Sequence, residues 1–246
     1  MATLLDPIIG FRIDGRRSNE LRKIQCEVGV FAQADGSAIL SQGNTKVVAT
    51  VYGPHENRGG RSKSLHDKAV INCQYSVATF SGTERKSRPH GDWKTIEITA
   101  HLKQTFEAVI QTEKYPKSQI DIYVEVLQSD GSNFCACVNA ATLAIIDAGI
   151  PIKDYVCACS VALIRDSPLI DINHLEETSG APHFTLALLP NYDQIVLLEH
   201  ASRMHVDYLD KMIESSMVGC KDIYAVLNKY IKSRVGTISK NFSNLI

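Results

Sequence analysis

The chain has 246 residues and a formal net charge of −1, from 26 Lys and Arg against 27 Asp and Glu. Hydrophobic residues make up 44% of the chain and charged residues 22%, which excludes disordered and collagen-like proteins and is typical of a globular protein. Apolar runs are all shorter than the roughly 18 residues of a membrane-spanning helix. The N-terminal residues lack the pattern of a signal peptide, and we expect none.

Strand-like segments dominate the first part of the chain. Four runs rich in apolar and β-branched residues are predicted as strands, at 24–31, 37–43, 45–53 and 69–80. Apolar residues at every fourth position predict a helix over 95–110. Strict alternation predicts a further strand at 119–128, and the small-residue run from Phe134 to Ala148 predicts a buried helix that ends at Gly149.

The second part repeats strands before a last helix. Strands are predicted at 155–164, 168–173, 183–190 and 194–200, and a long C-terminal helix at about 205–234. The order of elements indicates two similar halves that share one sheet system in an α+β or α/β architecture. Because no linker or composition break separates the halves, we predict a single domain over 1–246, with a short N-terminal extension at 1–11.

Seven cysteines occur in a chain for which no secretory signal is expected. Their number is odd, and a core of this size needs no disulfides, so we expect reduced thiols in a cytosolic or nuclear compartment. The two Cys-x-Cys pairs have the wrong spacing for a zinc site and lie in apolar sequence, which predicts core positions and no metal. The cysteines are Cys26, Cys73, Cys135, Cys137, Cys157, Cys159 and Cys220.

The near-neutral net charge conceals a segregated distribution. The formal charge is +3 over 12–23, +5 over 57–94 and +4 over 221–246, but −10 over 95–220. The basic residues of 57–94 lie mainly in two loops that flank the strand at 69–80, and we expect these loops to emerge near each other. Two interpretations stay open on charge alone: ordinary solvated loops, or a surface for an anionic polymer.

Four segments carry a more specific pattern, at 12–24, 34–54, 127–151 and 169–177. They contain DGRR at 14–17, QGNTK at 42–46, DAGIP at 147–151 and LIDINHLEE at 169–177. With these segments the chain resembles the RNase PH family over nearly its full length. The resemblance implies an α+β fold with an RNase PH-like (ribosomal protein S5 domain 2-like) repeated βαβα core. It also implies a six-membered ring of RNase PH-like subunits around a channel for single-stranded RNA.

Active members of that family perform phosphorolysis, in which phosphate attacks the 3′-terminal phosphodiester of RNA. The resemblance places Ser132, Asn133 and Phe134 at the phosphate cradle, with Phe134 where active members have Arg. Trp93 and Lys94 stand where they have a pair of Arg, and Trp93 could stack on a base or pack against the helix start. Asp171 is retained, and Glu177 replaces an Asp.

These departures remove fixed cations, so we predict a catalytically inactive member with no catalytic residues, no cofactor and no metal. The predicted function is a non-catalytic ring subunit of the RNA exosome that supports 3′-to-5′ RNA processing and degradation as a scaffold and by lining the channel. The predicted RNA-binding residues are Arg58, Arg61, Lys63, Arg85, Lys86, Arg88 and Lys94. Arg12, Arg16 and Arg17 are weaker candidates because they could form structural ion pairs.

The expected partners are other RNase PH-like subunits in a hetero-hexameric ring, RNA-binding cap subunits, a separate catalytic nuclease and single-stranded RNA, but no membrane. The expected location is the nucleus, nucleolus and cytoplasm. One alternative is an active phosphate-dependent 3′-to-5′ exoribonuclease, with Asp171 catalytic and phosphate held by Lys94 and the backbone of 132–134. A third possibility is a free-standing RNA-binding protein that works without a ring.

Overall fold

The structure, a computed structural model, describes residues 11–56, 66–82, 85, 91–164, 166–200 and 202–243, without the side chains of 237, 238 and 240–243. The first half forms a five-stranded sheet in the order β1-β2-β3-β5-β4, in which only the pair β4–β5 is parallel. Its strands are β1 (Ile24–Val28), β2 (Gly36–Gln42), β3 (Thr45–Glu56), β4 (Val70–Val77) and β5 (Ser118–Gln128). Its helices are α1 (Trp93–Val109) and α2 (Asn133–Asp147), with a 3-10 turn at Thr112–Lys114.

The second half forms a four-stranded antiparallel sheet in the order β7-β6-β8-β9. Its strands are β6 (Cys157–Ile164), β7 (Ser167–Ile170), β8 (His183–Leu189) and β9 (Gln194–His200). Its helices are the one-turn α3 (His174–Glu177) and the long α4 (Leu209–Ser243), which follows a 3-10 turn at Val206–Tyr208. No helix among the described residues is both long and apolar enough to cross a membrane.

The predicted strands and long helices are confirmed, but three details were wrong. The two halves build two separate sheets, not one shared sheet system. The last helix continues to Ser243, beyond the expected end at 234, and the short helix α3 was not predicted. A four-residue helix offers too few turns for apolar periodicity to be visible in sequence, so only its capping residues could have indicated it.

Helix α2 lies between the two sheets and packs against strands of both. Its small residues let it approach β2 closely, because a Cβ added at Gly36 would lie 2.2 Å from the Ala144 carbonyl oxygen. On the other side, the buried Asn139 amide donates to the Ala158 carbonyl at 3.1 Å and accepts from the Ala158 N–H at 2.9 Å. The helix therefore joins the halves by apolar packing and by a satisfied buried polar contact.

The cysteines occupy the core, as their apolar surroundings predicted. All seven are free thiols, and only Cys26 is partly exposed. Burial raises the pKa of the Cys26 and Cys73 thiols to about 12, so neither is a thiolate near neutral pH. No group of three or more potential metal ligands occurs among the described residues.

The two basic loops attach to opposite ends of one strand, contrary to the expectation that they emerge together. The first loop enters β4 at Val70 and the second leaves it after Val77, so seven steps of about 3.3 Å separate their anchors by about 23 Å. Strand β4 is also an edge strand that pairs with β5 and not with β3. Only the second loop is attached at the end of the sheet where α1 and α2 begin.

Replacement of Gly36 by Ala is expected to destabilise the fold. The new methyl group would meet the backbone of α2, which cannot move without shifting the whole helix, so we expect a loss of about 1–3 kcal/mol in the free energy of unfolding. Gly236→Ala is the matched control, because nothing lies within 4 Å of the added Cβ and Ala favours a helix interior. Urea unfolding of both variants measures the difference, and equal stabilities would contradict the close approach.

Candidate functional site

A cleft of about 980 Å³ opens between the two halves, at the N-terminal ends of α1 and α2. The first half contributes the segment after β4 and the first turns of both helices. The second half contributes the segment from Ile172 to Glu177 and the start of β8. The floor and walls therefore come from segments far apart in the chain, and their positions depend on contacts behind the cleft.

The central contact behind the cleft is a buried ion pair between Asp171 and Arg22. Arg22 Nη2 lies 2.7 Å from Asp171 Oδ1, and the Arg22 backbone N–H donates to Oδ2 at 2.9 Å. The Gln42 amide donates to Oδ1 at 2.8 Å. Burial alone would raise the pKa of Asp171, but the charge of Arg22 and these hydrogen bonds outweigh it, so the pKa lies below its ordinary value of 3.8.

The same arginine also holds the turn that precedes α2. Arg22 Nη1 donates to the Asp130 carbonyl at 2.9 Å and to Thr45 Oγ1 at 3.2 Å. Asp171 itself is fully buried and does not line the cleft. Asp171 therefore occupies the place of a structural strand-end carboxylate and not of a group that reaches a ligand.

A second buried ion pair places α3 on the other wall. Arg12 Nε donates to Glu176 Oε1 at 2.7 Å, and the Arg12 side chain also pairs with Glu176 Oε2. Glu176 completes a capping box with Asn173 at the start of α3. Glu177, the next residue, is half-buried and lines the cleft. The fixed helix thus presents one carboxylate to the cleft.

The arginines of the first segment serve mainly these contacts. Arg16 Nη1 donates to the Asp171 carbonyl at 3.1 Å, and Arg16 also pairs with Asp14. Arg17 is exposed, and its backbone N–H donates to Glu20 Oε2 at 3.0 Å. Arg12 and Arg16 therefore form the structural ion pairs that the sequence left open as the alternative to RNA contacts.

The turn before α2 is held tightly against the opposite wall. Gly131 has a φ of +81°, and a Cβ there would lie 2.5 Å from the Asn173 carbonyl carbon. Ser132 follows in the left-handed region with a φ of +53°. Its hydroxyl donates to the Ile172 carbonyl at 2.7 Å and contacts Ser160 Oγ, so the side chain does not cap α2.

The start of α2 presents polar groups to the cleft. Asn133 Nδ2 donates to Ser129 Oγ at 2.7 Å. Two buried oxygens that belong to cleft-lining residues, Asn133 Oδ1 and Ser81 Oγ, have no hydrogen-bond partner among the described residues. The partial positive charge of the helix start favours an anion at this end of the cleft.

Phe134 forms part of the cleft wall where the resemblance places a cation. Its ring is buried and makes an edge-to-face contact with His101 of α1, with ring centroids 6.3 Å apart. His101 Nδ1 lies 3.2 Å from Glu199 Oε2 at the end of β9. Phe134 thus joins a packed contact between α1, α2 and β9 and contributes no charge.

The described cations of the cleft are Arg85 and Lys94, and both are exposed. Trp93 lies beside Lys94 at the first turn of α1 and also lines the cleft. The structure thus brings together Lys94, Ser132, Asn133, Phe134 and Glu177 but leaves Asp171 behind them. Five of the predicted RNA-binding residues lie outside the described residues: Arg58, Arg61, Lys63, Lys86 and Arg88.

Sequence reasoning missed the groups that fix this geometry. Arg22, Gln42 and Glu176 lie inside or next to the quoted motifs, but none was singled out. The only sequence signal for these residues was their place in or beside the motifs. A sequence does not show which carboxylate pairs with an arginine that is distant along the chain.

Comparison with known proteins shows the family. The model of the 3′ exoribonuclease family, domain 1, matches residues 20–151, and that of domain 2 matches residues 154–219. The chain belongs to the RNase PH family of 3′ exoribonucleases. The boundary between the two matched regions lies between α2 and β6, where one sheet gives way to the other.

Named relatives cover nearly the whole chain. The human protein named exosome complex component RRP41 is 55% identical over 226 residues, covering 92% of each chain. The exosome complex component Rrp41 of Methanopyrus kandleri is 38% identical over 92% of this chain and 94% of its own. A solved structure described as the Archaeoglobus fulgidus exosome with RNA bound to the active site aligns with a TM-score of 0.76 at 20% identity, covering 87% of this chain and 92% of that one. The predicted RNase PH-like α+β fold is confirmed.

The expectation of a catalytically inactive member is wrong. Both family models that match are those of 3′ exoribonucleases, and the similarity extends at 38% identity to an archaeal exosome component. Against that membership, the substitutions at Phe134, Lys94 and Glu177 do not establish inactivity. These substitutions show only that the charge of the cleft is altered.

Asp171→Asn is expected to destabilise the fold strongly at neutral pH. The variant keeps the shape of the side chain but leaves Arg22 buried without its counter-charge, which costs about 3–5 kcal/mol. Because the folded pKa of Asp171 is lowered, its contribution is present above about pH 4 and is lost as the pH falls through the folded value. Urea unfolding from neutral to acidic pH should show the gap between variant and wild type narrowing.

The exposed pair Lys221–Asp193, with 2.7 Å between Nζ and Oδ1, supplies the control. Asp193→Asn should change the free energy of unfolding by less than about 1 kcal/mol, because exposed pairs contribute little. A loss at Asp171 no larger than that control, or one independent of pH, would contradict the role given to the buried pair.

Proposed function

We propose that this chain is an RNase PH-type subunit of an RNA exosome ring, and that its cleft receives single-stranded RNA for 3′-to-5′ processing and degradation. The observation that carries the proposal is the cleft between the halves, where Arg85, Lys94 and an exposed aromatic ring face the start of α2. Cations with an aromatic platform are the chemistry that single-stranded nucleic acid requires. The full-length similarity to named exosome components supports the assignment to that complex.

The proposed assembly is a hetero-hexameric ring of RNase PH-like subunits, in which this chain also acts as a scaffold and lines part of an RNA channel. RNA-binding cap subunits and a separate nuclease are proposed as further partners. The nucleus, nucleolus and cytoplasm are the proposed locations. A free-standing role is disfavoured because the relatives are named as components of a complex.

The cleft also supports a second candidate function, phosphorolysis of the RNA 3′ end. Phosphate at the start of α2 would attack the terminal phosphodiester. A new P–O bond would form, the bond to the 3′ oxygen of the preceding nucleotide would break, and that oxygen would take up a proton as a nucleoside diphosphate leaves. The described carboxylates that line the cleft are Asp92, Glu177 and Glu199. We assign the assisting role to Glu177, because the resemblance places a carboxylate of active members there and Asp171 is buried behind the cleft. This candidate departs from the earlier one, which made Asp171 catalytic.

Removal of both described cations should weaken RNA binding. For Arg85→Ala with Lys94→Ala we expect a roughly tenfold loss of affinity for a single-stranded oligoribonucleotide. The slope of log affinity against log salt should fall by about 0.7 for each lost phosphate contact. Lys229→Ala with Lys232→Ala on α4 changes the charge equally outside the cleft and serves as the control. Fluorescence anisotropy of labelled RNA measures both variants, and equal affinities would contradict the cleft assignment.

The second candidate makes its own prediction for Glu177→Gln. The assembled ring, given RNA with a free 3′ end, phosphate and Mg²⁺, should release nucleoside diphosphates, and the variant should reduce that rate at least tenfold. Glu214→Gln, an exposed change on α4, should leave the rate unchanged. Chromatography of the released nucleotides decides the matter. If the wild-type ring releases no nucleoside diphosphate, phosphorolysis by this chain is excluded, and the proposed RNA binding is unaffected.

A further inference from the structure

We propose that Trp93 stacks on a nucleobase of the RNA strand in the cleft and gives the site a preference for purines. This inference rests on the proposed RNA-binding function and names a residue that would read the base instead of the phosphate. It goes beyond the proposed contacts of Arg85 and Lys94 with the RNA, because a ring that stacks on a base makes the affinity depend on which base is present.

The first observation is the exposure of the side chain. Trp93 is 89% exposed, although it is a large apolar ring in a chain that buries most of its apolar residues. No aromatic ring among the described residues pairs with it. Leaving an indole in water forgoes about 25 cal/mol for every Å² of apolar surface that it could bury, so its surface is available to a ligand.

The second observation is that the backbone beneath the ring is fixed. Asp92 stands in the extended conformation before α1, and its carbonyl accepts from the Ile96 N–H at 3.0 Å and from Thr95 Oγ1 at 2.7 Å. Thr95 is itself buried beneath the helix. The first turn of α1 is thus anchored, and only two side-chain torsions of Trp93 need to be ordered when a base binds.

The third observation is that two cations line the same cleft as the ring. Lys94 follows it directly, Arg85 lies on the same cleft, and both side chains are exposed. An aromatic face beside two cations suits a ligand that has both a flat base and a charged backbone. Asp92, Glu177 and Glu199 also line the cleft, so a purely apolar partner would cover charges of both signs. A nucleotide instead offers a phosphate to the two cations and a base to the ring, so we assign the ring to a nucleobase.

Trp93 is the single tryptophan of the chain, so its fluorescence reports on this ring alone. We expect oligoriboadenylate to quench the emission of the full-length chain along the same saturation curve as the anisotropy of the labelled strand. A strand of equal length and charge that carries ribose and phosphate but no bases should bind about 5- to 150-fold more weakly and leave the emission unquenched. Oligouridylate should quench less than oligoadenylate, because pyrimidines offer a smaller stacking face.

Variants complete the test. Trp93→Ala should weaken binding of oligoadenylate by the same factor without lowering the thermal midpoint, since the side chain is exposed, and Trp93→Phe should retain most of the affinity. Tyr192→Ala removes a ring that is 61% exposed at the turn between β8 and β9 and should bind like wild type. RNA binding without quenching, or Trp93→Ala binding as wild type, would overturn the stacking and leave the proposed function intact. Failure of the wild-type chain, alone and in its ring, to bind RNA would overturn both.

Discussion

The ion pair between Asp171 and Arg22 joins three segments that are distant in sequence: the stretch before β1, the turn before α2 and the residues after β7. Both groups are buried, so removing either one leaves the other as an uncompensated charge in a low-dielectric interior. Because Arg22 also holds the Asp130 carbonyl, the two walls of the cleft share one anchor. The shape of the cleft therefore depends on this pair, although neither residue lines it.

Backbone strain accompanies that anchor. Asp171 and Ser132 both adopt positive φ without being glycine, at +57° and +53°, and each conformation costs on the order of 1–3 kcal/mol. The surrounding contacts hold them there: Arg12 and Arg16 donate to the Asp171 carbonyl, and the Ser132 hydroxyl reaches across to the Ile172 carbonyl. These contacts place the start of α2 and Glu177 on the same cleft. The described charged side chains that line the cleft are Arg85, Asp92, Lys94, Glu177 and Glu199, and the exposed indole of Trp93 lies on it too.

Local sequence patterns predicted the elements well but not the partners that organise them. Periodicity and turn residues located the strands and α2, and the motifs at 14–17, 42–46 and 169–177 indicated the family. The same patterns could not show that Asp171 lies behind the cleft. A retained carboxylate looks the same in sequence whether it pairs with Arg22 or contacts a ligand. The expectation that the two basic loops emerge near each other was also wrong, because one loop precedes β4 and the other follows it, so their anchors lie at opposite ends of the strand. Inactivity was inferred from single positions, and family membership over both regions overturned it.

The most direct test of RNA entry into this cleft is photocrosslinking in the assembled ring. An RNA with a photoreactive base near its 3′ end should attach to peptides that contain the start of α1 or the start of α2, identified by mass spectrometry. Crosslinks confined to other surfaces of this chain, or to neighbouring subunits alone, would contradict the account.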